Sequence, residues 1–182
     1  MATSSLRERP NPTPEERAWL AEKRFGVAVA DFHRTIGERL AKSVARGLAE
    51  WGVPAERLLT VRVPGALELP RAARLLVERG MDCVVCVGAV IRGETPHFEH
   101  VARECARGIA DLSRQGRAPV IFGVLTTDTA AQAETRAGGD RGDKGLAAAD
   151  AAARMLLLED GLSRVPERSP KQKPARRDRG RG

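Results

Sequence analysis

From Cys83 to Phe98 the chain reads Cys-Val-Val-Cys-Val-Gly-Ala-Val-Ile-Arg-Gly-Glu-Thr-Pro-His-Phe. The segment from Cys83 to Ile91 is apolar without alternation, as expected of a parallel strand covered on both faces. The run stops at Arg92 and Gly93. Thr95 can then cap a helix, with Pro96 at its first position and His97 in its first turn. Val101, Cys105, Ile109 and Leu112 recur at helical spacing and give that helix one apolar face. A strand buried on both sides that runs straight into an amphipathic helix predicts β-α-β architecture.

The flanking sequence continues the alternation. Phe25 to Ala30 reads as a short apolar strand. Ile36, Leu40, Val44, Leu48 and Trp51 fall on one helical face, Gly52 ends that helix, and Pro54 prevents its restart. Leu59, Val61 and Val63 alternate with Thr60 and Arg62, a strand pattern. Pro70 to Arg79 reads as a helix closed by Gly80. Pro119 to Thr127 is a fourth apolar strand, Thr129 to Ala137 a short helix broken by Gly138-Gly139, and Leu146 to Leu158 an Ala-rich helix. This order predicts an α/β fold: a three-layer α/β/α sandwich with a four-stranded parallel sheet, flavodoxin-like in type. Residues 1–24 form a polar N-terminal lead, in which Thr13 and Pro14 can open a short helix docked by Trp19 and Leu20. Residues 25–162 form the α/β domain. Residues 163–182 are rich in Pro, Arg and Lys with no apolar period, and the expectation there is disorder.

A chain of 182 residues suits one such domain. The net charge of +7 belongs to its end: residues 163–182 hold eight Lys/Arg against two Asp/Glu, whereas residues 1–162 hold 23 against 22. A tail of this kind is solvated, or it contacts nucleic acid or another polyanion. Three cysteines argue against a disulfide framework. Cys83 and Cys86 form a C-x-x-C, but on a strand residues three apart face opposite sides and cannot share a metal. No second such pair completes a zinc set, so no metal is expected. No eighteen-residue apolar run and no secretory pattern stands out, so the expected location is the cytoplasm.

In open parallel sheets ligands bind beyond the carboxyl ends of the strands. The unusual clusters fall there: Asp31-Phe32-His33, Pro64-Gly65-Ala66, Arg92 to His97, and Thr126 to Lys144. Gly93, Glu94 and Thr95 read either as an ordinary helix entry or as a phosphate cradle, because the free N–H groups of a helix start attract anions. His97 beside such a turn suits general acid–base work near neutral pH. Arg136 and Lys144 are candidate phosphate cations, Arg by its fork and Lys as a point charge. Phe32 reads as a stacking platform for a flat heterocycle or as core, and Phe122, inside a strand, as core. Glu68 reads as a ligand for hydroxyls or as a carboxylate favoured by a helix dipole. Neither a P-loop nor a G-x-G-x-x-G after a strand is present, which argues against a nucleotide cofactor.

Four separated segments, in this order, resemble the lumazine synthase family: Val63-Pro64-Gly65-Ala66-Leu67-Glu68-Leu69-Pro70, Gly88 to Glu99, Pro119 to Thr127, and Arg136-Ala137-Gly138-Gly139 with Gly142-Asp143-Lys144-Gly145. The likeness covers about residues 25 to 160. It implies a transferase of riboflavin biosynthesis, a 6,7-dimethyl-8-ribityllumazine synthase. Such an enzyme condenses 5-amino-6-ribitylamino-uracil with 3,4-dihydroxy-2-butanone 4-phosphate and releases phosphate and water, with no cofactor. The resemblance also implies residue roles. Phe32 would stack on the pyrimidine, and Ala66, Leu67 and Glu68 would hold the ribityl chain and ring. Val90 and Ile91 would border the ring, and Gly93, Glu94 and Thr95 would meet the phosphate. His97 would shuttle protons. Phe122, Arg136 and Lys144 would come from a neighbouring subunit. A homo-oligomer of pentamers, an icosahedral cage built from them, and association with riboflavin synthase are further expectations. The chain departs from the family pattern at His33, usually Asn, at Asp31, often Arg, and at Leu67, commonly Phe. The altered triplet Asp31-Phe32-His33 leaves a second expectation open, a ligand-binding or cage-forming paralogue with little turnover.

Overall fold

The architecture is organised around β3 (Cys83–Ile91), in which only Ile91 escapes full burial. In the computed structural model, which describes residues 11–165, β3 pairs in parallel with β1 (Phe25–Ala30) on one side and β4 (Val120–Thr127) on the other. β1 in turn pairs in parallel with β2 (Leu58–Val63), giving the order β2-β1-β3-β4. The four strands thus lie where the apolar runs placed them. β1 is buried throughout and β2, at the edge, is not, which is why only β2 alternates in sequence.

Successive side chains of β3 enter two separate cores. Cys83, Val85, Val87 and Ala89 pack beneath α2 (Arg34–Glu50) and α6 (Lys144–Ser163), where Leu20 of α1 (Pro14–Ala21) and Ala133 of α5 (Ala130–Arg136) join them. Val84, Cys86 and Val90 pack beneath α3 (Leu69–Glu78) and α4 (His97–Arg114). The result is the three-layer α/β/α sandwich. Each buried branched side chain contributes about 1.5–3 kcal/mol, so the doubly covered strands carry much of the stability. Cys83 and Cys86 fall in opposite cores as free thiols, and burial pushes both well above the ordinary thiol pKa.

Small residues let α6 approach α2 closely. Ala148, Ala149, Ala152 and Ala153 are buried, and a Cβ on Gly145 would sit 2.5 Å from the Leu40 carbonyl oxygen. Trp51 Nε1 donates to Asp150 Oδ1 across the same seam (2.8 Å). At the N-terminal end, Thr13 and Glu16 form a reciprocal capping box around Pro14, and Leu20 is fully buried.

Three local expectations are corrected. α4 begins at His97, with Pro96 rather than Thr95 at the N-cap, and no side chain caps it. α6 begins at Lys144, ahead of Leu146, because Asp143 Oδ1 accepts from the N–H groups of Gly145 (2.9 Å) and Leu146 (3.1 Å). It also continues past Leu158 to Ser163. Gly138-Gly139 do end α5, but the chain then forms a small hairpin, β5 (Ala137–Gly139) with β6 (Gly142–Asp143), in which Gly138 takes φ +87° and Gly142 φ +104°. The remainder of the expected disordered tail, from residue 166, and residues 1–10 of the polar lead lie outside the described residues.

Candidate active site

The chain leaves β1 for β2 on one side and later returns to place β3 on the other. β1 and β3 therefore flank a topological switch point, where the connecting segments diverge and leave a crevice. A basin of about 340 Å³ opens there. Its walls are Phe32 and His33 from the end of β1, Gly65 to Glu68 from the turn after β2, and Ala89 to Ile91 from the end of β3. Gly93, Thr95, His97, Phe98 and Val101 close it from the entry and first turns of α4.

Nine residues singled out in the sequence are thereby brought together: Phe32, Ala66, Leu67, Glu68, Val90, Ile91, Gly93, Thr95 and His97. Phe32 is 80% exposed, so its ring is no part of this chain's core. Its ring meets His33 edge-on, with centroids 5.1 Å apart and planes at 80°. A Cβ on Gly65 would lie 3.1 Å from Glu68 Oε2, so the carboxylate is folded back over the turn at the basin wall. With no side-chain cap, α4 leaves the N–H groups of His97 and Phe98 and the positive end of the helix dipole to a ligand, while Glu99 N–H donates to the Pro96 carbonyl (2.9 Å).

Four sequence candidates lie elsewhere. Glu94 is exposed in the turn but forms no part of the basin wall. Phe122 is half-buried against the α3–α4 core, as its position inside an apolar strand suggested. Arg136 ends α5, its Nη1 donating to the Gln132 carbonyl (2.9 Å), beside Arg141 in a separate shallow groove. Lys144 opens α6 just after the hairpin, which Asp143 pins to α2 by accepting from Ser43 Oγ (2.7 Å) and Arg46 Nη2 (2.9 Å).

A 6,7-dimethyl-8-ribityllumazine synthase family model matches residues 22–160, most of the chain and every wall of the basin. The chain belongs to the 6,7-dimethyl-8-ribityllumazine synthase family. It is 45% identical over 137 residues to the enzyme of that name from Porphyromonas gingivalis, covering 75% of this chain and 85% of the relative. The synthase from Levilactobacillus brevis is 43% identical over 143 residues, 78% of this chain and 91% of the relative. That from Coxiella burnetii is 45% identical over 136 residues, 74% and 90% respectively.

Within this synthase fold the unusual residues beside Phe32 are electrostatically quiet. Asp31 accepts from Arg62 Nε through both oxygens (2.8 and 3.0 Å), and these bonds hold its carboxyl below the usual carboxylate range. Its charge is spent on the neighbouring strand rather than in the basin. His33 is half-buried, and burial pushes its imidazole pKa down, which favours the neutral ring at the basin wall. In the sequence His33 stands out within the Asp31-Phe32-His33 cluster and as a departure, but with no role of its own; Phe98 and Val101 read as helix residues alone. Among the described residues no cluster of His, Cys, Asp and Glu is arranged to hold a metal, and no helix is long and apolar enough to cross a membrane.

Proposed function

We propose that the basin over β1 and β3 is where this chain carries out the reaction of its family, with Phe32, Glu68 and His97 in the leading roles. The chain is a transferase of riboflavin biosynthesis that condenses 5-amino-6-ribitylamino-uracil with 3,4-dihydroxy-2-butanone 4-phosphate. The observation that carries the placement is the meeting of an exposed aromatic platform, an imidazole and an uncapped helix start in one crevice.

The chemistry asks for alignment and a few proton movements. The 5-amino group adds to the ketone, water leaves to give an imine, phosphate is expelled, and a second condensation closes the ring. Phe32 offers its face to the pyrimidine. Ala66, Leu67 and Glu68 hold the ribityl chain and ring, the carboxylate accepting from hydroxyls, while Val90 and Ile91 bound the ring from below. Gly93, Glu94 and Thr95 lead the phosphate to the α4 N–H groups, where the leaving dianion is favoured. His97 takes a proton from the attacking amine and returns it to departing oxygen, a role worth about 10²–10⁴ in rate. Holding the two substrates together supplies much of the remaining acceleration.

The cationic half of the site, Arg136 and Lys144 with Phe122, comes from an adjoining copy. Their position outside the basin of their own chain supports this, and the corresponding assembly is a homo-oligomer of pentamers, with an icosahedral cage as its larger form. Three free, buried thiols fit a reducing cytoplasm. Formation of fluorescent lumazine from the two substrates tests the reading, with light scattering to establish the assembly. Assembled protein that turns over neither substrate would refute it.

A further inference from the structure

Arg92 stands immediately after β3, outside the basin wall, and touches three things at once. Its Nε donates to Asp128 Oδ1 just past the end of β4 (2.8 Å). Its guanidinium lies over the Phe98 ring, 4.8 Å from the centroid. Its Nη1 reaches Glu99 Oε1 at 3.7 Å. Its own N–H is fixed by the Thr127 carbonyl (2.9 Å), and Asp128 N–H is fixed in turn by Gln132 Oε1 (3.0 Å).

We propose that Arg92 is a positioning residue for the lumazine-forming step: it clamps the ends of β3 and β4 to the first turn of α4 and so sets the aim of His97 into the basin. The inference rests on the His97 role proposed above. Phe98 and Glu99, the two residues Arg92 grips on α4, directly follow His97. No capping side chain fixes this helix start, so an external brace has an orienting task that a capped helix would not offer. Arg92 is half-exposed, and ion pairs in that setting add little stability. What the arrangement supplies is direction: a planar, forked cation can stack on a ring while donating sideways to carboxylates, and an ammonium cannot.

The test uses the full-length, assembled protein and measures kcat, the KM for each substrate and the thermal midpoint. Arg92→Ala is expected to lower kcat about 10- to 100-fold, in keeping with a displacement of order 1 Å at a reacting group. KM for the pyrimidine and the thermal midpoint should stay near wild type. Arg92→Lys should recover only part of the rate, and Asp128→Asn should lower kcat in the same direction by less. On a His97→Ala background, Arg92→Ala should cost little further, because the group it aims is gone. The proposal is overturned if assembled Arg92→Ala keeps kcat within about twofold of wild type, or if its effect persists undiminished without His97. It is also overturned if Arg92→Ala fails to assemble while Asp128→Asn is as fast as wild type. A His97→Ala enzyme at full rate would bring down both this inference and the role it rests on, whereas a slow His97→Ala beside a fast Arg92→Ala would bring down this one alone.

Discussion

Two regions at the carboxyl end of the sheet are built on opposite lines. The basin over β1 and β3 has apolar walls, an exposed ring, one imidazole from α4 and an uncapped helix start, and the charges nearest Phe32 are paired off on β2. The region beyond β4 offers cations: Arg136, Arg141 and Lys144 cluster about a glycine hairpin that Asp143 locks to α2. The first region suits stacking, proton transfer and, at its open helix start, a single anion, whereas the second offers side-chain cations and no aromatic platform.

His97→Ala is the sharpest way to test the first region. Turnover should fall about 10²-fold or more, with KM for the phosphorylated ketone changed little, because the imidazole acts on protons rather than on phosphate. Full rate between about pH 6 and 8 would remove His97 from the chemistry. Arg136→Ala tests the second region and should show the reverse split. Loss of a charge-assisted bond to phosphate, about 1.5–3 kcal/mol, predicts a KM for that substrate raised about 10- to 100-fold. Co-assembling the two variants then tests their separation. If each site takes His97 from one copy and Arg136 from the next, random mixing of equal amounts restores about a quarter of the sites to wild type, a consequence of heterologous contacts in a ring. A mixture no faster than the average of its parts would place both residues in one chain's site.

Asp143→Ala acts on the frame of the cationic region. It removes the α6 N-cap and the bonds from Ser43 and Arg46 together. A cap of this kind is worth about 0.5–2 kcal/mol, or a few degrees in thermal midpoint for a chain of this size. KM for the phosphorylated ketone should rise modestly while that for the pyrimidine holds. An equal rise in both would mean that the hairpin serves the whole fold rather than the cations it carries.

The two regions also differed in how plainly the sequence announced them. The strands lining the basin are unbroken apolar runs, and burial on both faces leaves that signature whatever the neighbours do. Phe32 and His97 stood out by lying where such runs stop. The hairpin after α5 left a weaker trace, since Gly138-Gly139 mark a break in a helix but do not encode the turn and pairing beyond it. The start of α6 at Lys144 depends on Asp143, a residue also held by a serine and an arginine about a hundred positions earlier, and no local pattern encodes that. The Thr95 cap failed for a related reason: Pro96 took the N-cap position and the helix entry stayed open toward the basin. Arg92 opens a cluster the sequence marks, but its contacts leave no local signal, because its partners Asp128 and Phe98 meet only through the pairing of β3 with β4 and the return of α4.

His33 gives the smallest effect and lies on the basin wall. Burial lowers its pKa from the ordinary 6.5, so the folded protein resists protonating a ring that the unfolded chain protonates freely. The stability tied to the neutral ring is therefore fully present above about pH 6.5 and is lost as pH falls through the lower folded value. His33→Asn, which puts a non-titrating polar side chain at the same place, removes this dependence. The difference in thermal midpoint between variant and wild type should be flat above about pH 7 and shift in the variant's favour below about pH 6.5. Asp31 and Glu38, whose carboxyls their arginine partners hold low, are present in both proteins and largely cancel in the difference. A difference independent of pH would mean that His33 is as hydrated in the fold as in the unfolded chain, and the wall beside Phe32 would then be wetter than its burial indicates.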